Sequence, residues 1–186
     1  LDNAVNAAKE AFKSWRRTIP TERVKYIFKF KNLMEEHLEE IARLVTIEHG
    51  KNLDEARGDV RRGIDNLDFA FGIPSLMQGE SLEDVGRNID CVNFRRPMGV
   101  FAAITPFNFP AMVPLWFIPY AIATGNTFIL KPSEQVPTTQ QRMFELWHET
   151  GLPKGVLNMV HGSKDMVNGI CEHPDIKGVS FVGSSP

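Results

Sequence analysis

The chain has 186 residues, of which 42% are hydrophobic and 24% charged, and its formal net charge at pH 7 is -2. This composition is typical of a globular domain and excludes disordered and fibrous proteins. Because the lysines and arginines are scattered, no basic patch for nucleic acid is expected, and the ligand is expected to be neutral or a small anion.

The first third of the chain, residues 1–75, is predicted to be helical. Apolar residues spaced three and four apart form one stripe in residues 1–15, which is typical of an amphipathic helix. A second helix is predicted from Pro20, which suits a first turn, to the His-Gly stop at 49–50. A third is predicted from about residue 53 to residue 71.

From residue 87 onward the pattern favours strands. Residues 87–96 alternate polar and apolar side chains, which predicts a half-exposed connecting strand. Short apolar runs at 100–105, 127–131, 156–160 and 178–183 then alternate with helix-like stretches at 111–123, 138–150 and 163–171. Strands buried on both faces and alternating with helices indicate βαβ units. We therefore predict one α/β domain over 1–186, with an N-terminal helical segment before a Rossmann-like open parallel sheet and its flanking helices in 97–186.

Cysteine usage and the lack of a targeting pattern indicate the compartment. Cys91 and Cys171 are too few for a disulfide framework and lie in no metal-binding pattern, so no metal is expected and both are interpreted as inert packing residues. Residues 1–15 lack the features of a secretory signal, and the most apolar run, 109–124, is interrupted by prolines. We expect a soluble protein of a reducing cytoplasm, with no membrane partner.

The turns that follow the predicted strands are the candidate site, because ligands bind parallel sheets at the carboxyl ends of their strands. In KPSE, Lys131 and Glu134 can hydrogen-bond vicinal hydroxyls of an adenosine ribose. The negative charge of Glu134 would disfavour a 2′-phosphate, which points to NAD over NADP. The alternative interpretation is an exposed charged turn.

Two further turns offer a phosphate grip and an amide. The glycine and serines of VGSS can open a helix whose free N–H groups bind phosphate, or they can form a simple serine-capped turn. In TPFNFP, prolines flank Asn108, whose amide is a preorganised donor for a developing oxyanion. The alternative for Asn108 is an Asx-turn with its own backbone. The GxGxxG and GxxxxGK[ST] fingerprints are absent.

Taken together, PFNFP, GNTFILKPSE, GLPKGVLNMVHG and SFVGS occur in this order and near these spacings in the aldehyde dehydrogenase superfamily. The chain resembles that family from its first helix to its last residue. It is most similar to the CoA-acylating methylmalonate semialdehyde dehydrogenases, as judged from TPFNFP, NTFILKPSE, EHPDIKGVSFVGS and RRGIDNLDFAFGIPSLMQGESL. The resemblance implies an N-terminal fragment that holds an incomplete NAD-binding domain.

The resemblance also implies roles for single residues. Asn108 matches the amide that, with a backbone N–H beside the nucleophile, holds the oxyanion of a tetrahedral thiohemiacetal. Arg62 matches an arginine that receives the substrate's carboxylate; the alternative is an ion pair with Asp59 or Asp65 on the helix surface. Members of this branch usually carry alanine and arginine at positions 105 and 135. The cofactor contacts implied are Thr105 and Phe107, the ribose ligands Lys131 and Glu134, the neighbouring Gln135, and the pyrophosphate grip Gly183 and Ser184.

For the whole protein, the resemblance implies oxidation of (methyl)malonate semialdehyde with NAD and CoA to propanoyl-CoA or acetyl-CoA, through a cysteine thiohemiacetal and thioester. The family's nucleophilic cysteine and general-base glutamate match no residue of this chain, so the chain alone is expected to be inactive. Alternatives are a non-acylating NAD-dependent semialdehyde dehydrogenase and a non-catalytic nucleotide-binding module. The full-length enzyme is expected to be a homo-oligomer, a dimer or tetramer, in a bacterial cytoplasm or a mitochondrial matrix.

Overall fold

The computed structural model describes residues 1–184 and has a helical N-terminal part, as predicted. Each helix carries an apolar face toward the interior, and α4 also has an N-cap, because the side chain of Asn52 accepts the N–H of Glu55. The helices of this part are α1 (Asp2–Trp15), α2 (Pro20–Glu36), α3 (Leu38–His49), α4 (Leu53–Ala70) and the short α5 (Ile73–Leu76).

The single helix predicted from Pro20 to residue 49 is wrong, because the structure contains α2 and α3 there. The two helices meet at His37, whose backbone angles (φ -99°, ψ 15°) are not helical. A straight helix of that length would be about 45 Å long. The break lets both segments pack against α4 and α7 instead.

The connecting strand predicted at 87–96 is the second strand of a hairpin. The first, β1 (Ser81–Gly86), pairs antiparallel with β2 (Ile89–Val92) across a two-residue turn in which Asn88 has a φ of 62°. Apart from the half-buried Gly86, every residue of both strands is exposed. The predicted strand is therefore present, but the prediction that it is half-buried is wrong, since the apolar side chains that alternate along β2 cover no part of the core.

A parallel sheet forms the rest of the fold, as predicted. Its strands are β3 (Val100–Ile104), β4 (Thr127–Lys131), β5 (Leu157–Met159) and β6 (Ile176–Phe181), in the order β5-β4-β3-β6. The connections contain a 3-10 turn (Val113–Trp116), α6 (Ile118–Ala123), α7 (Pro137–Glu149) and α8 (Lys164–Glu172). Pro114 and Pro119 each lack a backbone N–H, which explains why the helix predicted at 111–123 is split.

Burial differs between the strands according to their place in the sheet. The strands β3 and β4 lie in the interior and are buried almost throughout, as the apolar runs predict. In contrast, β5 and β6 lie at the edges of the described sheet, and β6 alternates half-buried and exposed residues. The prediction that all four strands are buried on both faces is therefore correct only for the central pair.

Two hydrophobic cores lie on opposite faces of this sheet. The larger joins helices α2, α3, α4, α6 and α7 to the face formed by Ala103, Phe128 and Leu130. It includes a buried ring stack between Phe30 and Trp147, with centroids 3.8 Å apart and planes inclined by 7°. The smaller core joins α1 and α8 to the face formed by Val100, Ala102, Ile104 and Ile129.

The two cysteines lie at the surface rather than in these cores. Cys91 is on the exposed hairpin and Cys171 is near the end of α8, and both are exposed free thiols. Their interpretation as packing residues is therefore wrong. Within residues 1–184, no helix combines the length and apolarity that crossing a bilayer requires.

Gly125 and Gly151 provide a matched test of how tightly α2 packs over the end of α6. Both follow a helix with positive φ (+90° and +79°), but a Cβ at Gly125 would lie 1.8 Å from Nη1 of the buried Arg23, whereas Gly151 has no neighbour within 4 Å. We expect Gly151→Ala to cost about 1 kcal/mol of unfolding free energy through backbone strain. Gly125→Ala should cost about 1–3 kcal/mol more through overpacking.

The measurement is chemical denaturation of both variants beside the parent protein. Equal losses at the two positions would contradict a close fit of Arg23 over the end of α6.

Candidate functional site

The carboxyl ends of three strands meet at one edge of the sheet. Ile104 of β3 is paired with Lys131 of β4 and with Phe181 of β6. One residue further on, the N–H of Thr105 donates to the carbonyl of Lys131, and the N–H of Val182 donates to the carbonyl of Ile104, both at 3.1 Å. The chain proceeds from β3 to β4 and β5 on one side and returns to β6 on the other, so this edge contains a topological switch point, where open parallel sheets bind ligands.

A cavity of about 520 Å³ opens at this edge. That volume lies within the range of small-molecule sites. Seven of the nine predicted site residues line it, and only Arg62 and Gln135 do not. The lining consists of Ile104, Thr105, Pro106, Phe107, Asn108, Lys131, Ser133, Glu134, Phe181, Val182, Gly183 and Ser184. Three separate turns therefore contribute to one concave surface.

The turn after β4 presents an ion pair. The side chain of Lys131 is only 5% exposed, and its ammonium donates to Oε2 of Glu134 at 2.9 Å, while Glu134 is 55% exposed. The hydrogen bond from Lys131 holds the pKa of Glu134 below its usual value, with help from a backbone N–H. The carboxylate is thus ionised at neutral pH. The alternative of an exposed charged turn fits Glu134 but not the buried Lys131.

The turn after β3 presents Asn108 to the solvent side of the cavity. Among residues 1–184, no group forms a hydrogen bond with the side-chain amide of Asn108, so the Asx-turn alternative is wrong. The backbone carbonyl of Asn108, however, accepts a 2.5 Å hydrogen bond from the ammonium of Lys51. The ring of the preceding Phe107 stacks on His49, with centroids 6.0 Å apart. The backbone is held and the amide is left available.

A buried ion pair that the sequence patterns did not predict lies beneath this turn. Asp59 on α4 is fully buried; its Oδ2 lies 3.1 Å from Nζ of Lys51, and its Oδ1 accepts the N–H of Met112 at 2.9 Å. Burial raises the pKa of the Asp59 carboxyl, while Lys51 and that N–H oppose the rise. The available signal was an aspartate beside the apolar stripe of α4, eight residues after a lysine.

Arg62 and Gln135 lie outside the cavity. Arg62 is exposed on α4 and has no ion pair among the residues that the structure describes, so the alternative pairing with Asp59 or Asp65 is wrong. Its neighbour Arg61, by contrast, pairs with a glutamate of α2. Gln135 is also exposed, and its backbone N–H donates to the hydroxyl of Ser133.

The remaining predicted contact residues differ in burial and in whether they already form a hydrogen bond within the chain. Thr105 is 3% exposed, and its hydroxyl donates to Oε1 of Gln140 at 3.3 Å. Gly183 and Ser184 are exposed at the cavity wall, whereas the last serine of VGSS, Ser185, lies outside the described residues. The described chain contains no group of three or more His, Cys, Asp or Glu residues placed to hold a metal ion.

The N-terminus of α7, which follows the Lys131–Glu134 turn, is already capped. The carboxylate of Glu48, at the end of α3, accepts the N–H groups of Thr138 and Thr139 at 2.7 and 2.6 Å. A helix N-terminus that holds a carboxylate is not available to a phosphate. The N-terminus of α7 therefore offers no free site for a phosphate.

Sequence comparison relates the whole chain to one enzyme family. A sequence model of the aldehyde dehydrogenase family matches residues 1–186. The malonate-semialdehyde dehydrogenase of Lacticaseibacillus casei is 58% identical over 182 residues, which are 98% of this chain and 37% of that protein. Malonate-semialdehyde dehydrogenase 2 of Geobacillus kaustophilus is 56% identical over 186 residues, 100% of this chain and 38% of the relative. The chain thus spans well under half the length of these curated relatives.

Solved structures share the fold over the same part. The methylmalonate-semialdehyde dehydrogenase of Oceanimonas doudoroffii has a TM-score of 0.95 and 48% identity, with 98% of this chain and 38% of that chain covered. A Sinorhizobium meliloti 1021 protein, assigned as a methylmalonate-semialdehyde dehydrogenase and complexed with NAD, has a TM-score of 0.94 and 48% identity. The match covers 97% of this chain and 37% of that chain. An NADP dependent E. coli enzyme has a TM-score of 0.93 and 34% identity, and the match covers 97% of this chain and 38% of that chain. The chain belongs to the aldehyde dehydrogenase family.

Proposed function

We propose that this chain is the N-terminal part of an NAD-dependent, CoA-acylating malonate- or methylmalonate-semialdehyde dehydrogenase. The observation that carries the proposal is the cavity in which the unengaged amide of Asn108 and the Lys131–Glu134 pair occupy the same sheet edge. Relatives named for malonate-semialdehyde oxidation support the substrate class. The products proposed are acetyl-CoA from malonate semialdehyde and propanoyl-CoA from methylmalonate semialdehyde, with the substrate's carboxylate released as carbon dioxide and two electrons transferred to NAD.

NAD fits the residues at this edge. The Lys131 ammonium can donate to ribose hydroxyls, and the ionised Glu134 can accept from them, since both belong to the cavity wall. Gly183 and Ser184 are exposed where a pyrophosphate grip is expected, and Thr105 and Phe107 line the wall between. When bound, NAD supplies the hydride acceptor. Glu134 would repel a 2′-phosphate, which agrees with the NAD found in a relative of 48% identity.

Asn108 is proposed as the oxyanion donor. Its side chain is exposed at the cavity, and its backbone is restrained on the side away from it. A preorganised amide of this kind typically accelerates acyl transfer about 10²-fold to 10³-fold. The nucleophilic cysteine matches neither exposed thiol of this chain, so we propose that it belongs to another part of the protein and that the 186-residue chain alone is inactive.

Arg62 is proposed as the receptor of the substrate's carboxylate. A guanidinium recognises a planar carboxylate through two parallel hydrogen bonds. The exposed Arg62 has no partner among residues 1–184, which leaves its donors available, although it does not line the cavity that holds Asn108. The contact with Gln135 remains a proposal of the same kind, because that exposed side chain also lies outside the cavity wall.

The full-length protein is proposed to act as a homo-oligomer in the bacterial cytoplasm. The bacterial sources of the similar curated proteins support the location. A dimer or a tetramer is the expected assembly.

The test of the proposed reaction uses the full-length protein with malonate semialdehyde and NAD, with and without CoA. We expect NADH formation and an acyl-CoA product when CoA is present, and no NADH from the 186-residue chain alone. Free acid as the sole product would contradict the acylating assignment and support a non-acylating semialdehyde dehydrogenase. A full-length protein that binds NAD but forms no NADH would support a non-catalytic module.

Glu134 is expected to set the choice between NAD and NADP. Glu134→Gln removes the charge but keeps a hydrogen-bond acceptor, so the ratio of kcat/KM for NADP to that for NAD should rise about tenfold to a hundredfold. Steady-state kinetics with both cofactors measure it. The control is Glu145→Gln, an exposed glutamate of α7 that pairs with Arg142. An unchanged ratio for Glu134→Gln would remove the ribose assignment.

Arg62→Ala is expected to raise KM for malonate semialdehyde about tenfold to a hundredfold, because a charge-assisted hydrogen bond to the carboxylate is lost. The KM for propanal, which has no carboxylate, should change little. Arg61→Ala, which removes the neighbouring exposed arginine, serves as the control. Equal effects of Arg62→Ala on both aldehydes would reject the role.

A further inference from the structure

We propose that Lys51 and Asp59 form a positioning pair that fixes the turn carrying Asn108, so that the amide is held where an oxyanion develops. The inference rests on the proposed function, because it takes Asn108 as the oxyanion donor. Neither residue lines the cavity, so the pair acts through the turn. It is a buried ion pair that lies outside the cavity wall and contacts the backbone of the turn.

Lys51 makes three contacts with the turn and its support. Its ammonium donates to the carbonyl of Asn108 at 2.5 Å and to Oδ2 of Asp59 at 3.1 Å. It also lies 3.9 Å from the ring centroid of Phe109, within the range of a cation–π contact. The side chain is 12% exposed, so these contacts form largely out of water. One cation therefore holds two consecutive residues of the turn.

Asp59 holds the other side of the same turn. Its second oxygen accepts the N–H of Met112, four residues after Asn108. A lysine–aspartate pair thus spans the segment from Asn108 to Met112, which contains Pro110 and its fixed φ. With both ends held and a proline between them, the backbone that carries the Asn108 side chain has little freedom to move.

The pair stands on a rigid support. The helix α4 packs directly on the segment after the turn, since a Cβ at Gly63 would lie 3.0 Å from Leu115 and 3.3 Å from the carbonyl of Ala111. The start of α4 is capped by Asn52, immediately after Lys51. Because α4 is anchored at its start and along its face, its aspartate is a fixed reference point for the turn.

The energetic cost of burying the Lys51–Asp59 pair favours a role in orienting the turn over a role in stabilising the fold. Removing two charges from water is costly, and burial raises the pKa of Asp59 accordingly, so an apolar pair of similar volume would serve stability at least as well. A charged pair instead accepts and donates in fixed directions, to one carbonyl and one N–H. Directional bonds to the backbone are what a catalytic turn needs.

The experiment is a double-mutant cycle in the full-length enzyme, with the single-turnover rate of NADH formation as the readout. Asn108→Ala should lower that rate about 10²-fold to 10³-fold. Lys51→Met should lower it about tenfold to a hundredfold, since misplacing a catalytic group carries a penalty of that order. The dissociation constant of NAD should not change. The double variant should be no slower than Asn108→Ala, because Lys51 acts only through Asn108.

Two further variants separate positioning from folding. Lys51→Met with Asp59→Asn leaves no unpaired buried charge and keeps an acceptor for Met112, so it should fold and have the same reduced rate as Lys51→Met. Lys31→Met is the control: it removes a lysine–aspartate pair between α2 and α4, with Asp68, that makes no contact with the turn. Its rate should equal that of the parent enzyme.

The outcomes distinguish the positioning role of Lys51 from the proposed oxyanion role of Asn108. If Asn108→Ala slows the reaction but Lys51→Met does not, or if the two losses multiply in the double variant, the positioning role is overturned while the proposed function stands. If Asn108→Ala leaves the rate unchanged, the oxyanion assignment fails and the inference fails with it.

Discussion

The hydrogen bonds that hold β3 between β4 and β6 are the constraint on which the site depends. Parallel strands in register end at the same level, so the turns after Ile104, Lys131 and Phe181 emerge together. The ladder continues one residue beyond the strands, through the N–H groups of Thr105 and Val182. Each lining residue of the cavity lies within four positions of one of those three ends. The ladder thereby sets the distance between the amide and the ion pair.

The helical N-terminal part does more than cover the sheet. Residues 48–51, at the end of α3 and just after it, contact the turn after β3 and the helix that follows the turn after β4: Glu48 caps α7, His49 stacks on Phe107, and Lys51 donates to the carbonyl of Asn108. These contacts link residues that are 57 to 91 positions apart in the chain. One short stretch of chain therefore couples the turn that carries Asn108 to the helix that follows the Lys131–Glu134 turn.

Sequence patterns predicted the features of the fold that depend on neighbouring residues in the chain. The central strands, their turns and the clustering at one sheet edge followed from apolar runs and from the geometry of parallel sheets. The partner of Asp59 could not be predicted in this way, because local spacing favours Arg62 on the same helix, whereas packing brings Lys51 to it. The hairpin and the exposed Cys91 were misjudged for a related reason: alternation along a strand does not reveal whether anything covers it.

The bond from Lys51 reaches the main-chain carbonyl of residue 108, a group that every amino acid carries. The shape of the turn is consequently decoupled from the side chain it displays. A different short polar group at this position would inherit the same placement without any change to the frame around it. Evolution or design can therefore replace the side chain at position 108 and keep the backbone of the turn.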